Sequence, residues 1–393
     1  MIVKRQISLL FLAQLIIIAC LDMSDPYWPL IIHHANPGIS AQHVQYWSAA
    51  VYIIPFLITI VATPIWSHFG EKVGHKKMLL RATCALAVSQ LLVGFVTNPV
   101  LILAIRLIQG VFAGFTAAAQ SWSISMSRPE SHSHIIGRMQ ASTAVGTVVG
   151  PIIGGVIANY LGYSAIFFVS AMLCCMTISA VAFYLQETPK KEGTSAPAKM
   201  FNLSHLDKNV VTFLSLICFT QAARWMSSSF FALYVIQRLG GTNLSVGILY
   251  SSIALSIFIA APRWGNMIDL KVKQHSLVKI IFTTTLLCAG MSQYLFAMSS
   301  SITLSLFSCI MLGVCLGAIS LIPFTLLVNY SQELHKSKMI GLGSSASKLG
   351  NLIGVATGAL IQSQTNFTFS FIAIGVVYCL IASLSLRLRL STA

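Results

Sequence analysis

The sequence predicts an all-α polytopic membrane protein: twelve transmembrane helices in two six-helix, pseudo-symmetric bundles. Three observations carry that prediction. Hydrophobic residues make up 56% of the 393 and charged residues only 8%, with a mean hydropathy of +0.81, values of a chain that lives in a bilayer. Twelve apolar stretches can be laid along it, each near the roughly 20 residues that cross hydrocarbon. A set of glycines in the first half also recurs in register in the second.

The expected spans are 7–32, 45–69, 79–97, 100–122, 138–160, 163–185, 209–237, 244–266, 278–298, 301–327, 340–362 and 366–386. Residues 1–185 form an expected N-terminal bundle, 186–208 a cytoplasmic linker and 209–393 a C-terminal bundle. The linker holds Q-E-T-P-K-K-E-G-T-S-A-P-A-K at 186–199, the one long polar stretch rich in linker residues. The net charge of +15 raises the question of a nucleic-acid partner. With the N-terminus inside, however, 20 of the 24 Lys and Arg fall on cytoplasmic segments, Arg238 falls outside, and three lie within spans. That is the positive-inside pattern, so the basicity orients the chain and no nucleic acid is needed to explain it. A multi-pass protein of a bacterial inner membrane, with both termini cytoplasmic, is expected.

The first span opens M-I-V-K-R-Q and resembles a secretory leader, but it is too long, lacks a small-residue cleavage site and carries Asp22 and Asp25. It reads as a helix ending L-D-M-S-D-P-Y-W-P at 21–29. The two acids share a helix face, and an acid at membrane depth marks an ion or substrate path unless it is interfacial. Pro26 and Pro29 bend or end the helix just beyond them. His33, His34 and His43 follow without an acid or Cys beside them, so solvated loop residues are expected rather than a metal site. The nine cysteines have no metal spacing and read as packing thiols.

Between the second and third spans, residues 63–81 make a tight basic turn with one acid, Glu71, followed by Lys72 and Gly74. The fourth span carries Arg106 at mid-depth, with Gln109 and Gly110 one turn on. An Arg this deep must meet an acid, a carbonyl or water. Asp22 or Asp25 is the expected partner, in either a working or a purely structural ion pair.

The fifth span runs G-R-M-Q-A-S-T-A-V-G-T-V-V-G-P-I-I-G-G over 137–155. Gly146, Gly150 and Gly154 form a stripe at i, i+4 and i+8, with Pro151 and Gly155 beside it. In lipid such a stripe lets a neighbouring backbone approach closely. The seventh span places Gln221, Arg224 and Ser228 on one side, and the eleventh places Ser344, Lys348 and Asn351 on one face. Arg224 and Lys348 have no acid near them in sequence, so they reach the first-half acids or await an anionic ligand; Lys348 also has a snorkelling route.

The halves are related. Adding 204 to Gly137, Gly146, Gly150 and Gly154 gives Gly341, Gly350, Gly354 and Gly358, and Pro64 and Trp66 recur 198 residues on as Pro262 and Trp264. Parallel six-helix repeats around a midplane site are a transporter architecture. With no P-loop, ATP is not the expected energy source.

These residues resemble the major facilitator superfamily, specifically its twelve-helix drug:proton antiporter branch. S-H-F-G-E-K-V-G-H-K at 67–76 is similar to the loop signature G-x-L-A-D-R-x-G-R-K, with Glu71 at the Asp and Lys72 at the first Arg. Arg106, Gln109 and Gly110 fit R-x-x-Q-G, and 137–155 fits the antiporter signature G-x8-G-x3-G-P-x2-G-G at every fixed position. P-I-W, K-M-L-L-R and A-P-R-W-G resemble stretches of multidrug exporters of the MdtG type. The resemblance implies a rocker-switch exporter driven by the proton gradient without another cofactor. It implies a conformational gate of Glu71, Lys72, Gly74, Gly146, Gly150, Pro151, Gly154 and Gly155, the stripe facing the other half. Proton coupling falls to Asp22, Asp25 and Arg106.

The residues expected to touch substrate are Asp22, Asp25, Arg106, Gln109, Gln221, Arg224, Lys348 and Asn351. Multidrug export is the first reading. Two acids against three cations within the spans equally suit an anionic metabolite, exported or taken up, such as a carboxylate siderophore. A non-transporting receptor would need a sizeable soluble domain, and an intramembrane enzyme would need a catalytic pairing that does not stand out. The expected partners are a small-molecule substrate, protons and lipids, for a monomer without metal.

Overall fold

The computed structural model describes residues 2–127, 132–187, 208–271, 274–330 and 336–387, among which every regular element is helical. They are α1 (Ile2–Asp22), α2 (Trp28–Ala35), α3 (Ala41–Val73), α4 (His75–Phe95), α5 (Pro99–Val111), α6 (Phe115–Ser125), α7 (His132–Tyr160) and α8 (Tyr163–Tyr184). The second half holds α9 (Lys208–Trp225), α10 (Phe231–Gln237), α11 (Asn243–Lys271), α12 (His275–Met298), α13 (Ile302–Tyr330), α14 (Lys336–Gln364) and α15 (Phe367–Arg387). All twelve expected spans are present, and the first, fourth and seventh are each broken in two.

Each break has a local cause. Pro26 has no N–H to offer Asp22, so α1 stops there; one 3-10 turn, Asp25–Tyr27, leads into α2. Gly114 takes a left-handed φ of +119° between α5 and α6. Between α9 and α10 lie three serines, and Ser228 donates its hydroxyl to Trp225 O at 2.7 Å, competing with the helical ladder. The breaks after α1 and α9 fall at equivalent places in the two halves.

Ten helical segments among the described residues are long and apolar enough to cross a membrane. The two expected spans that miss the criterion are α9 with α10, and α14. Those are the spans that carry Gln221, Arg224, Lys348 and Asn351. Elsewhere large apolar side chains point outward, Phe183 being 84% exposed; this is the outward face of a protein solvated by lipid.

The chain forms two compact units. One comprises Met1–Ser40, Ala50–Thr194 and Gly240–Ser251, the other Ala41–Ala49, Ser195–Leu239 and Ser252–Ala393. Two short segments therefore group differently from the expected division by chain order: the first turns of α3 lie with the second unit, and the first turns of α11 with the first.

In the first unit Leu10, Ile17, Leu79, Trp122 and Cys174 are buried together, and Gln14 donates its amide to Met139 O (3.0 Å) and Thr143 Oγ1 (2.8 Å). The second unit has an aromatic core in which Phe230, Tyr234, Phe296 and Phe371 meet at 4.8–5.1 Å. Tyr234 donates its hydroxyl to Phe296 O at 2.6 Å.

The glycine repeat has a direct structural meaning. A methyl group built on Gly146 would stand 2.8 Å from Leu15 O, and one on Gly150 2.7 Å from Ala19 O; on Gly154 it would overlap Met23 O. In the second unit Gly350, Gly354 and Gly358 meet Cys218 O, Ala222 O and Met226 O in the same way. Thus α7 packs on α1 and α14 on α9 backbone to backbone, which only glycine permits. Gly137 and Gly341 have nothing near them and take no part in the contact. The tryptophan repeat is also structural: Trp66 donates its indole N–H to Val111 O (2.6 Å), and Trp264 donates to Val314 O (2.9 Å).

Candidate transport site

In the first unit the break after α1 gathers the polar groups. The Asp25 carboxylate accepts a 2.9 Å hydrogen bond at Oδ2 from Tyr250 OH, on the part of α11 that belongs to this unit. The Asp25 carbonyl accepts from Tyr52 OH. Asp22 stands beside Thr147 and within electrostatic reach of Asp25, and its Cβ would lie 3.0 Å from a methyl group on Gly150. The stripe and the acid it packs against are therefore one feature.

Arg106 donates from Nε to Val51 O (3.3 Å) and from Nη1 to Gln109 Oε1 (2.8 Å). Its guanidinium lies 4.8 Å over the Trp28 ring. Asp25 acts on it electrostatically, but among the described residues no ion pair joins Arg106 to either acid. The expected Arg–Asp ion pair is corrected: of the possible partners it is a carbonyl, with Gln109 and an aromatic face, that holds this cation. The reason is the break after α1, which turns the Asp25 carboxylate toward a tyrosine on a distant helix.

In the second unit Gln221 and Arg224 lie on α9, and Lys348 and Asn351 on α14. Gln221 Cβ lies 3.0 Å from a methyl group built on Gly350, so the glycine contact sets the two polar faces side by side. Arg224 acts electrostatically on Tyr378 of α15. The Tyr378 hydroxyl and Asn351 Oδ1 are buried without a hydrogen-bond partner among the described residues. Neither Arg224 nor Lys348 has a hydrogen-bond or ion-pair partner there, and no carboxylate side chain of this unit is among those described.

The gate residues divide. Three stripe glycines face α1 of their own unit, not the other half as the resemblance implied. Gly155 instead meets the start of α11, where an added methyl group would stand 2.8 Å from Asn243 O. Pro151 O accepts from Tyr27 OH at 2.9 Å, and the same hydroxyl reaches Asn243 O at 3.1 Å. The side chain of Glu71 lies outside the described residues, and Lys72 is exposed. Gly74, at φ +105°, caps α4. There the carboxylate of Glu187 accepts from Lys76 N at 3.0 Å, in the position an anion favours at a helix N-terminus.

Tyr52, Tyr250, Tyr378 and Glu187 were not anticipated. The tyrosines sit among apolar residues with no spacing signal, and Glu187 lies in the linker, far in sequence from the turn it joins.

Two helical units, each with a broken first helix held on a glycine stripe, and with acids and cations inside membrane-spanning segments, define a multi-pass secondary transporter. The chain belongs to the Major Facilitator Superfamily, whose family profile matches residues 10–277 and again 213–392. It is 29% identical over 391 residues to the staphyloferrin B transporter of Staphylococcus aureus, covering 95% of this chain and 90% of that protein. It is 26% identical over 386 residues to the multidrug resistance protein MdtG of Salmonella paratyphi A, covering 95% and 93%. Its fold is that of a bacterial homologue of the human lysosomal transporter Spinster, with a TM-score of 0.82 at 14% identity, over 98% of this chain and 96% of that one.

Proposed function

We propose that this transporter is a proton-coupled exporter of a carboxylate-bearing small molecule, of the siderophore type, working by rocker-switch alternating access. The observation that carries the reading is the pair of cations, Arg224 and Lys348, with no anionic partner described in their unit. A cation kept at membrane depth is costly unless an anion or water meets it, and a carboxylate ligand accepts from Arg in a directed, two-pronged way. Similarity to a siderophore transporter supports the same substrate class.

Coupling would run through Asp22 and Asp25, each taking a proton in one half-cycle and releasing it in the other, with Arg106 holding the local field. The proton gradient is then the energy source and no cofactor is required. Export would proceed from a bacterial inner membrane with both termini cytoplasmic, as the distribution of Lys and Arg suggests. The protein would act as a monomer among lipids. Multidrug export is the second reading, favoured by the similarity to MdtG.

The test is transport in proteoliposomes under an imposed pH gradient, with staphyloferrin B and the lipophilic cation ethidium as alternative cargoes. Gradient-dependent movement of the first alone is expected. Movement of ethidium alone would replace this reading with the second.

A further inference from the structure

Two membrane spans of the first unit end side by side. One apolar segment able to cross a bilayer begins at Arg5 and another ends at Tyr184. Between these ends lies a groove of about 510 Å³. Arg5, Ser8, Leu9 and Leu12 of α1 line one side of it, and Phe183 and Tyr184 of α8 line the other.

The α1 side is ordered by depth. Its four residues stand at i, i+3, i+4 and i+7, which is one face of the helix. At about 1.5 Å per residue, Leu12 lies roughly 10 Å further along the helix than Arg5. Charge, hydroxyl and apolar surface therefore follow one another as headgroup and acyl chain do in a phospholipid. Phe183 and Tyr184 are both largely exposed, as aromatic rings are where a span meets the membrane interface.

Arg5 has no task within the protein. It is exposed, and no hydrogen bond or ion pair joins it to another described residue. Among the described residues no acid lines the groove. The carbonyls that end α8 would be its natural partners, but other donors hold them. Lys76 Nζ donates to Ala182 O (2.8 Å), Gln6 Nε2 to Tyr184 O (3.2 Å) and Trp122 Nε1 to Gln186 O (2.9 Å). Glu187, which follows, accepts from Lys76 N. Nor does Arg5 serve α1, because a cation is unfavourable near the N-terminus of a helix.

We propose that this groove binds an anionic phospholipid. Arg5 and Ser8 donate to its phosphate, and an acyl chain lies along Leu9, Leu12 and Phe183. A guanidinium suits the purpose because it meets a phosphate with two parallel hydrogen bonds. The site belongs wholly to the first unit and is independent of the cargo.

The test is native mass spectrometry of the full-length protein in detergent. Dioleoylphosphatidylglycerol and dioleoylphosphatidylcholine share their chains and differ in headgroup charge, and glycerol 3-phosphate supplies the anion without a chain. The first phosphatidylglycerol is expected to bind about fivefold or more tighter than the first phosphatidylcholine, and glycerol 3-phosphate only weakly. Arg5→Gln should bring phosphatidylglycerol to the level of phosphatidylcholine, and Ser8→Trp should weaken both by filling the groove. Lys77→Gln removes another exposed cation, one outside the groove, and should bind as the parent does. All three positions are exposed, so these replacements leave the core intact, and matching unfolding temperatures verify it. The two lipids binding alike, or Ser8→Trp leaving both unaffected, overturns the site. So does an equal loss in Arg5→Gln and Lys77→Gln, which would make Arg5 one of many interchangeable surface charges. Glycerol 3-phosphate binding as tightly as phosphatidylglycerol would show a free-anion site and overturn the lipid assignment.

Discussion

Tyr250 donates a 2.9 Å hydrogen bond to the carboxylate of Asp25 across 225 residues of sequence. The tyrosine lies two residues before the point where α11 passes from the first compact unit to the second. A proton on Asp25 changes what that carboxylate can accept, so its charge state bears on α11, one of two helices divided between the units. Removing the hydroxyl with Tyr250→Phe should weaken a charge-assisted hydrogen bond, a loss on the order of 1.5–3 kcal/mol. The expected outcome is a displaced pH profile of proton-driven transport with folding retained. A profile that coincides with the parent's would remove Tyr250 from the coupling.

Asp22→Asn should abolish transport driven by a pH gradient while sparing substrate counterflow, which needs no net proton movement. Proteoliposomes measured in both modes separate the two. Gradient-driven transport at the parental rate would sink the coupling role of Asp22.

Arg224→Gln and Lys348→Gln should impair movement of an anionic cargo far more than that of a cationic one. Initial rates for both cargo types, measured on the same preparations, provide the comparison. Equal losses would count against an anionic substrate.

Gly150→Leu and Gly354→Leu should each separate a pair of helices that now touch backbone to backbone, at Ala19 O and Ala222 O. A lowered thermal unfolding temperature and reduced transport are expected for both, because the repeat gives them the same task. Full activity in either variant would contradict the packing argument for its unit.

Gly74→Ala places a side chain at φ +105° and ψ +143°, a backbone conformation confined essentially to glycine that costs about 1–3 kcal/mol for an L-residue. It also pushes a methyl group onto the Glu187 carboxylate. The expected result is a lower unfolding temperature, readable by differential scanning fluorimetry, and Glu187→Gln should lower it by less.

Much of this protein was legible in its sequence because the bilayer leaves few solutions. Backbone groups in hydrocarbon must be satisfied within helices, so the long apolar stretches set out the helices. The four recurring glycines announced two related halves. The polar residues of α9 and α14 stood out because a Lys or Arg within a span has few explanations.

What the sequence could not decide was partnership. Arg106 was expected to meet Asp22 or Asp25, yet a carbonyl of Val51, the amide of Gln109 and the face of Trp28 hold it. The stripe of α7 was expected to face the other half, yet its glycines lie on α1, while Pro151 and Gly155 beside them meet Gly247 and Asn243 of α11. The cap from Glu187 and the tyrosines around Asp25 left no spacing signal, because each joins elements far apart in the chain. Periodicity and composition act within one helix, and they determined that this chain spans a membrane as paired repeats. Which side chain finishes each hydrogen bond depends on where broken helices turn and how closely glycines let them approach, and that only the tertiary structure decided.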